Sequence, residues 1–222
     1  MKWLSSKPYI AVELALMMLV LPYAIYEFHL IRYMIPILWG VAMYCAIVHR
    51  VTTGETLRQA WHWGEINRAS LAPLLRRFAI CAIFLTVATL VLLPERLFGF
   101  VLEKPAFWAV VMLLYPLISV LPQEVIFRLF FFERYKHIFK TQEMMILASG
   151  LAFGLAHIIF QNWVAPLLCA VGGIIFAMTY ARRKSLALVS LEHALYGDFI
   201  FTIGLGLYFY HGSVKAIADV AQ

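Results

Sequence analysis

Four ionisable residues, Glu124, Arg128, His157 and His193, stand inside stretches that are otherwise apolar. The run Leu121-Pro122-Gln123-Glu124-Val125-Ile126-Phe127-Arg128 places a carboxylate and a guanidinium four residues apart, on one face of a helix. A charge at the centre of a bilayer costs at least about 2.5–3.5 kcal/mol on insertion scales, so such groups are kept in pairs or for function. The plain structural reading of Glu124 and Arg128 is an ion pair that fixes helix register. The chemical reading is a carboxylate that, near imidazoles, acts as a general base towards water.

Two histidines bring the second reading forward. In Phe153-Gly154-Leu155-Ala156-His157, residues Gly150, Gly154 and His157 fall within about 60° of one another on a helix, so the imidazole shares a face with a G-x-x-x-G pair that lets another backbone approach. Glu192-His193-Ala194-Leu195-Tyr196-Gly197-Asp198 puts Gly197 on the face of His193, with Asp198 about 140° round and Glu192 about 100° the other way. An acidic residue on each side of a membrane histidine is hard to explain by packing. At a rise of about 1.5 Å per residue, Glu124, His193 and His157 lie roughly 14, 12 and 21 Å from the cytoplasmic ends of their helices, so tilt brings all three together near mid-membrane.

The elements that must hold these groups are transmembrane helices. The chain has 222 residues, 64% of them hydrophobic and 14% charged, far from the roughly half apolar and quarter charged make-up of a soluble domain. Seven apolar stretches stand out: Tyr9–Tyr26, Tyr33–Val48, Phe78–Leu93, Ala106–Phe132, Met144–Phe160, Val164–Ala181 and Leu186–Tyr210. Most approach the ~20 residues a helix needs to cross hydrocarbon, and none alternates as a barrel strand would. The expectation is an all-α polytopic bundle of about seven transmembrane helices, forming one integral membrane domain over residues 1–222. Lys2 and Lys7 before the first stretch imitate a signal peptide, but no small-x-small cleavage site follows, so this stretch is read as a retained first helix.

With the N-terminus in the cytoplasm, thirteen Lys and Arg fall inside, among them Lys2, Lys7, Arg50, Arg76, Arg77, Arg134 and Lys184. Only Arg32, Arg96, Lys104 and Lys215 fall outside, and Arg128 stays in the membrane. The same dispersal excludes a nucleic-acid stripe, although the net charge is +6. Residues 53–77 mix Trp61, Trp63 and leucines with arginines and are expected at the cytoplasmic interface. Cys45, Cys81 and Cys169 each lie in an apolar run with no paired spacing, as small buried hydrophobes do. That and the short chain point to a multi-pass protein of a prokaryotic inner membrane.

Residues 113–210 carry motifs that resemble the CAAX-protease and bacteriocin-processing family of intramembrane endopeptidases, which includes the type II CAAX prenyl endopeptidases. Gln123-Glu124 with Arg128 is similar to its Glu-Glu-x-x-x-Arg motif, Phe153 with His157 to its Phe-x-x-x-His motif, and His193 to its third motif, with Gly197 where an amide or acid is usual. The resemblance implies that Glu124 and His157 activate a water, His193 stabilises the oxyanion and Arg128 holds the glutamate. Gln123 stands where the family has a first glutamate, and an amide cannot act as a base. Either Glu124 takes that role while Gln123 orients the water, or the chain is a non-catalytic scaffold or immunity-type regulator. Asp198 is a candidate partner of His193 but would need a bulge or wide turn to reach it. No H-E-x-x-H pattern is present, and the resemblance implies neither metal nor other cofactor. The implied partners are the lipid bilayer and a membrane-bound or lipidated peptide or protein substrate.

Overall fold

The computed structural model describes residues 6–209, so Lys2, Tyr210 and Lys215 of the sequence reading lie outside the described residues. The architecture is an all-α polytopic bundle, with no strand among the described residues. Six helices are long and apolar enough to cross a membrane: α1 Lys7–Glu27, α2 Leu30–Thr53, α3 Arg68–Leu92, α4 Pro105–Arg134, α5 Gln142–Phe160 and α6 Val164–Arg183. A seventh, α7, runs Leu186–Thr202 and at 17 residues sits at the short end of spanning lengths.

Helix α3 starts ten residues before its apolar stretch. The Asn67 side chain accepts from the Ser70 N–H and caps the helix there, so Arg68, Arg76 and Arg77 belong to its first turns. The segment between α2 and α3 is correspondingly shorter than residues 53–77. It holds a Thr56–Gln59 capping box, the short helix Leu57–Ala60 and the stacked Trp61 and Trp63 rings, 5.0 Å apart. Its backbone is tied to the α6–α7 corner, where Ser185 Oγ donates to Trp61 O at 3.0 Å and Ala187 N does so at 3.1 Å. Trp61, Trp63 and the basic Arg182-Arg183-Lys184 run thus share one end of the bundle.

Helices α5 and α6 pack closely along much of their length. A Cβ added at Gly150 would meet the backbone of Ile174, and one at Gly154 would meet the Pro166 carbonyl, so small residues on this face of α5 permit the approach. Helix α4 is irregular, with π-helical turns at Pro116–Val120 and Val125–Phe130 flanking Leu121–Glu124. Pro122 has no N–H to offer the Ile118 carbonyl. That carbonyl instead accepts from Trp39 Nε1 of α2 at 3.0 Å. Widened turns of this kind re-aim side chains and recur at functional sites.

Candidate active site

Helix α4 contributes Glu124 and Arg128, both with no solvent exposure. The Arg128 Nε lies 3.3 Å from Glu124 Oε2, its Nη2 donates to the Gly173 carbonyl of α6 at 3.4 Å, and its Cζ sits 4.7 Å over the Phe153 ring and 5.5 Å from that of Phe176. The guanidinium is thus held by a carboxylate, a carbonyl and two aromatic faces in a fully buried position. The i,i+4 pairing read from sequence is present.

Helix α7 contributes His193, whose Nδ1 donates to Glu124 Oε1 at 2.7 Å. Phe176 stacks on the imidazole with centroids 4.7 Å apart at 23°, and Phe153 meets it edge-on at 5.3 Å. These rings fix the plane of the imidazole while the carboxylate fixes its rotation. On the far side, Tyr115 Oη lies 3.2 Å from Nε2. Because Nδ1–H already donates to the carboxylate, Nε2 of the neutral ring is an acceptor, and the phenol O–H donates to it.

His157 stands where α5 tightens into its last 3-10 turn, His157–Phe160. Its Nδ1 donates to the Phe153 carbonyl at 2.7 Å, which leaves Nε2 with the lone pair. Its ring packs on Phe153 at 4.7 Å, so both histidines lean on one phenylalanine. Among the described residues no hydrogen bond joins His157 to Glu124. The carboxylate is bonded to His193.

Gln123 is buried, and its Nε2 donates to Ser119 Oγ at 2.7 Å while Oε1 has no hydrogen-bond partner among the described residues. Asp198 does not reach His193: α7 is regular there, and both imidazole nitrogens are engaged by Glu124 and Tyr115. Glu192 faces away from the site, as its helical phase requires, and accepts from Arg77 Nη2 of α3 at 2.7 Å, with Thr179 on the same nitrogen. Among the described residues, no three His, Cys, Asp or Glu side chains converge closely enough to hold a metal ion.

Tyr115 and Phe176 are the site residues that sequence reasoning missed. Each is an aromatic within an apolar run, and nothing in its spacing distinguishes it from a lipid-facing or core ring. What the assembled group can do is move protons: a carboxylate backed by arginine, an imidazole with a fixed inner N–H and an outer lone pair, and a hydroxyl on that lone pair.

Neither the curated proteins nor the solved structures hold a match to this chain. A family model described as type II CAAX prenyl endopeptidase Rce1-like matches residues 105–197. That span begins at the first residue of α4, ends at Gly197 and contains Glu124, Arg128, His157 and His193. The match supports a CAAX-type membrane protease embedded in a lipid bilayer and acting on a peptide substrate. Through its motif-bearing core, the chain is a multi-pass membrane protein that matches the Rce1-like type II CAAX prenyl endopeptidase family.

Proposed function

We propose that this protein is an intramembrane endopeptidase that hydrolyses a peptide bond near the cytoplasmic end of a membrane-associated, lipid-modified substrate. The observation that carries the reading is the buried 2.7 Å bond between Glu124 and His193, with Arg128 behind the carboxylate. A base oriented by a third group is the recurring arrangement for activating a weak nucleophile, here water. Glu124 holds the imidazole with Nδ1–H inward, and His193 Nε2 takes the proton of the attacking water. His157 offers a second lone pair on the other side of Phe153 and positions that water, as Gln123 does from α4.

This arrangement shares the work differently from the division that the resemblance implies, in which His157 acts with Glu124. His193 is a hydrogen-bond donor to an oxyanion only after Nε2 has received the proton. The interfacial Trp61 and Trp63 and the basic corner at Arg182-Arg183-Lys184 suit a substrate arriving from the cytoplasmic headgroup region.

The test is cleavage of peptides bearing a prenylated cysteine near the C-terminus by the purified protein in liposomes. Replacement of Glu124, His157 or His193 by alanine is expected to lower turnover by roughly 10²–10⁴ at the residue that takes the proton, with an accumulating precursor in cell membranes. Unchanged processing in all three variants overturns the proposal.

A further inference from the structure

Tyr115 closes the first α-helical stretch of α4, immediately before the widened turn Pro116–Val120. Its hydroxyl is 3.2 Å from His193 Nε2, its ring stands edge-on to the imidazole at 80°, and Phe201 of α7 supports it with centroids 5.4 Å apart. Gly197 lies one turn beyond His193, and a Cβ there would run into the ring and hydroxyl of Tyr115. The phenol thus occupies volume that any larger residue at position 197 would take. Packing alone does not ask for the hydroxyl, since a phenylalanine would fill the same space. What the O–H adds is a donor at the outer nitrogen of the imidazole.

We propose that Tyr115 is the oxyanion donor of this site, and that Gly197 reserves its place. The inference rests on the proteolytic reading above. In the resting site the Tyr115 O–H donates to Nε2. As the water oxygen bonds to the substrate carbonyl carbon and the C=O π pair moves onto oxygen, the phenol O–H swings from Nε2 to the forming oxyanion, and the freed Nε2 lone pair takes a water proton. Once it carries hydrogen the nitrogen no longer accepts, and the phenol stays on the oxyanion without giving up its own proton. On collapse the carbonyl re-forms, the C–N bond breaks, and the proton on Nε2 leaves with the amine nitrogen. One water is consumed and no other reactant is needed.

The experiment compares wild type, Tyr115→Phe, Tyr115→Ala and Tyr115→Ala with Gly197→Asn, all in liposomes with a prenylated peptide. Tyr115→Phe is expected to lower kcat by about 10²–10³, with KM within about threefold and an unchanged unfolding temperature, as removal of an oxyanion donor does. Its His193 Nε2 resonance in ¹⁵N NMR shifts with loss of the hydroxyl bond, a readout that needs no substrate. Adding Gly197→Asn to Tyr115→Ala puts an amide donor into the emptied space and recovers at least about tenfold of the lost rate. An active wild type with Tyr115→Phe within about threefold in kcat overturns the Tyr115 assignment alone. A wild type that cleaves no peptide overturns the proteolytic reading and the oxyanion role with it, even if the His193 resonance still moves.

Discussion

Glu13 on α1 and Glu124 on α4 are both buried carboxylates facing an arginine, yet their oxygens are used differently. Glu13 receives Arg134 Nε on Oε2 at 2.6 Å, Arg134 Nη2 on Oε1 at 3.2 Å and the Tyr44 hydroxyl on Oε1 at 2.5 Å. It is a two-pronged pair between separate helices, and every acceptor is occupied. Glu124 faces an arginine on its own helix at 3.3 Å, and Glu124 Oε2, Arg128 Nε and Arg128 Nη1 are buried without a hydrogen bond among the described residues. Two helices can slide until a salt bridge closes, whereas an i,i+4 pair is held at the spacing its backbone sets. The closed pair ties α1 to α4. The open pair leaves polar capacity unused inside the bundle, and unsatisfied buried groups of this kind call for a functional account, which the proposed proton transfer supplies.

The sharpest way to break this contrast is to make the same isosteric change on both sides. Glu124→Gln is expected to lower turnover per folded molecule by about 10²–10⁴, because an amide cannot receive the His193 N–H as a carboxylate does. Glu13→Gln is expected to leave turnover per folded molecule near wild type while costing about 3–5 kcal/mol of stability, read as a lower unfolding temperature in micelles. If both variants lose activity in proportion to folded protein, the distinction between the pairs disappears.

A smaller effect tests how the open pair is supported. Gly150→Val pushes against the Ile174 backbone and moves α6, whose Gly173 carbonyl accepts from Arg128. The expected cost is about 1–3 kcal/mol from overpacking, with a rate loss larger than the fraction unfolded explains. The smallest effect belongs to Asp198→Asn: its carboxylate touches neither histidine nitrogen, so turnover should stay within about twofold of wild type, the scale of substitutions away from a site's contacts. A larger loss would bring Asp198 back into the site.

Much of the site was legible because its signal is local. Glu124 and Arg128 announce themselves as charges four apart in an apolar run, and the helical phase of α7 sets Glu192 about 100° round from His193, although its partner Arg77 on α3 came only from the structure. The start of α3 was not legible, because hydropathy registers where lipid begins and a cap such as Asn67 can lie well outside it. Glu13 was passed over as one charge in a long apolar stretch, since its partners Arg134 and Tyr44 lie on other helices. Tyr115 carried no signal at all. Its contact with His193 depends on a widened turn in α4 and on a bare Gly197 in α7.

The amino-acid sequence by itself determined that the chain is a bundle of membrane helices, which residues carry charge into the apolar layer, and which helix face each occupies. Hydropathy and helical periodicity are properties of consecutive residues, so they survive without a fold. Only the tertiary structure decided that Glu124 pairs with His193, that Asp198 stays apart and that a tyrosine completes the group. Those outcomes depend on how helices distant in sequence cross, and on where two of them come close enough for a glycine to matter.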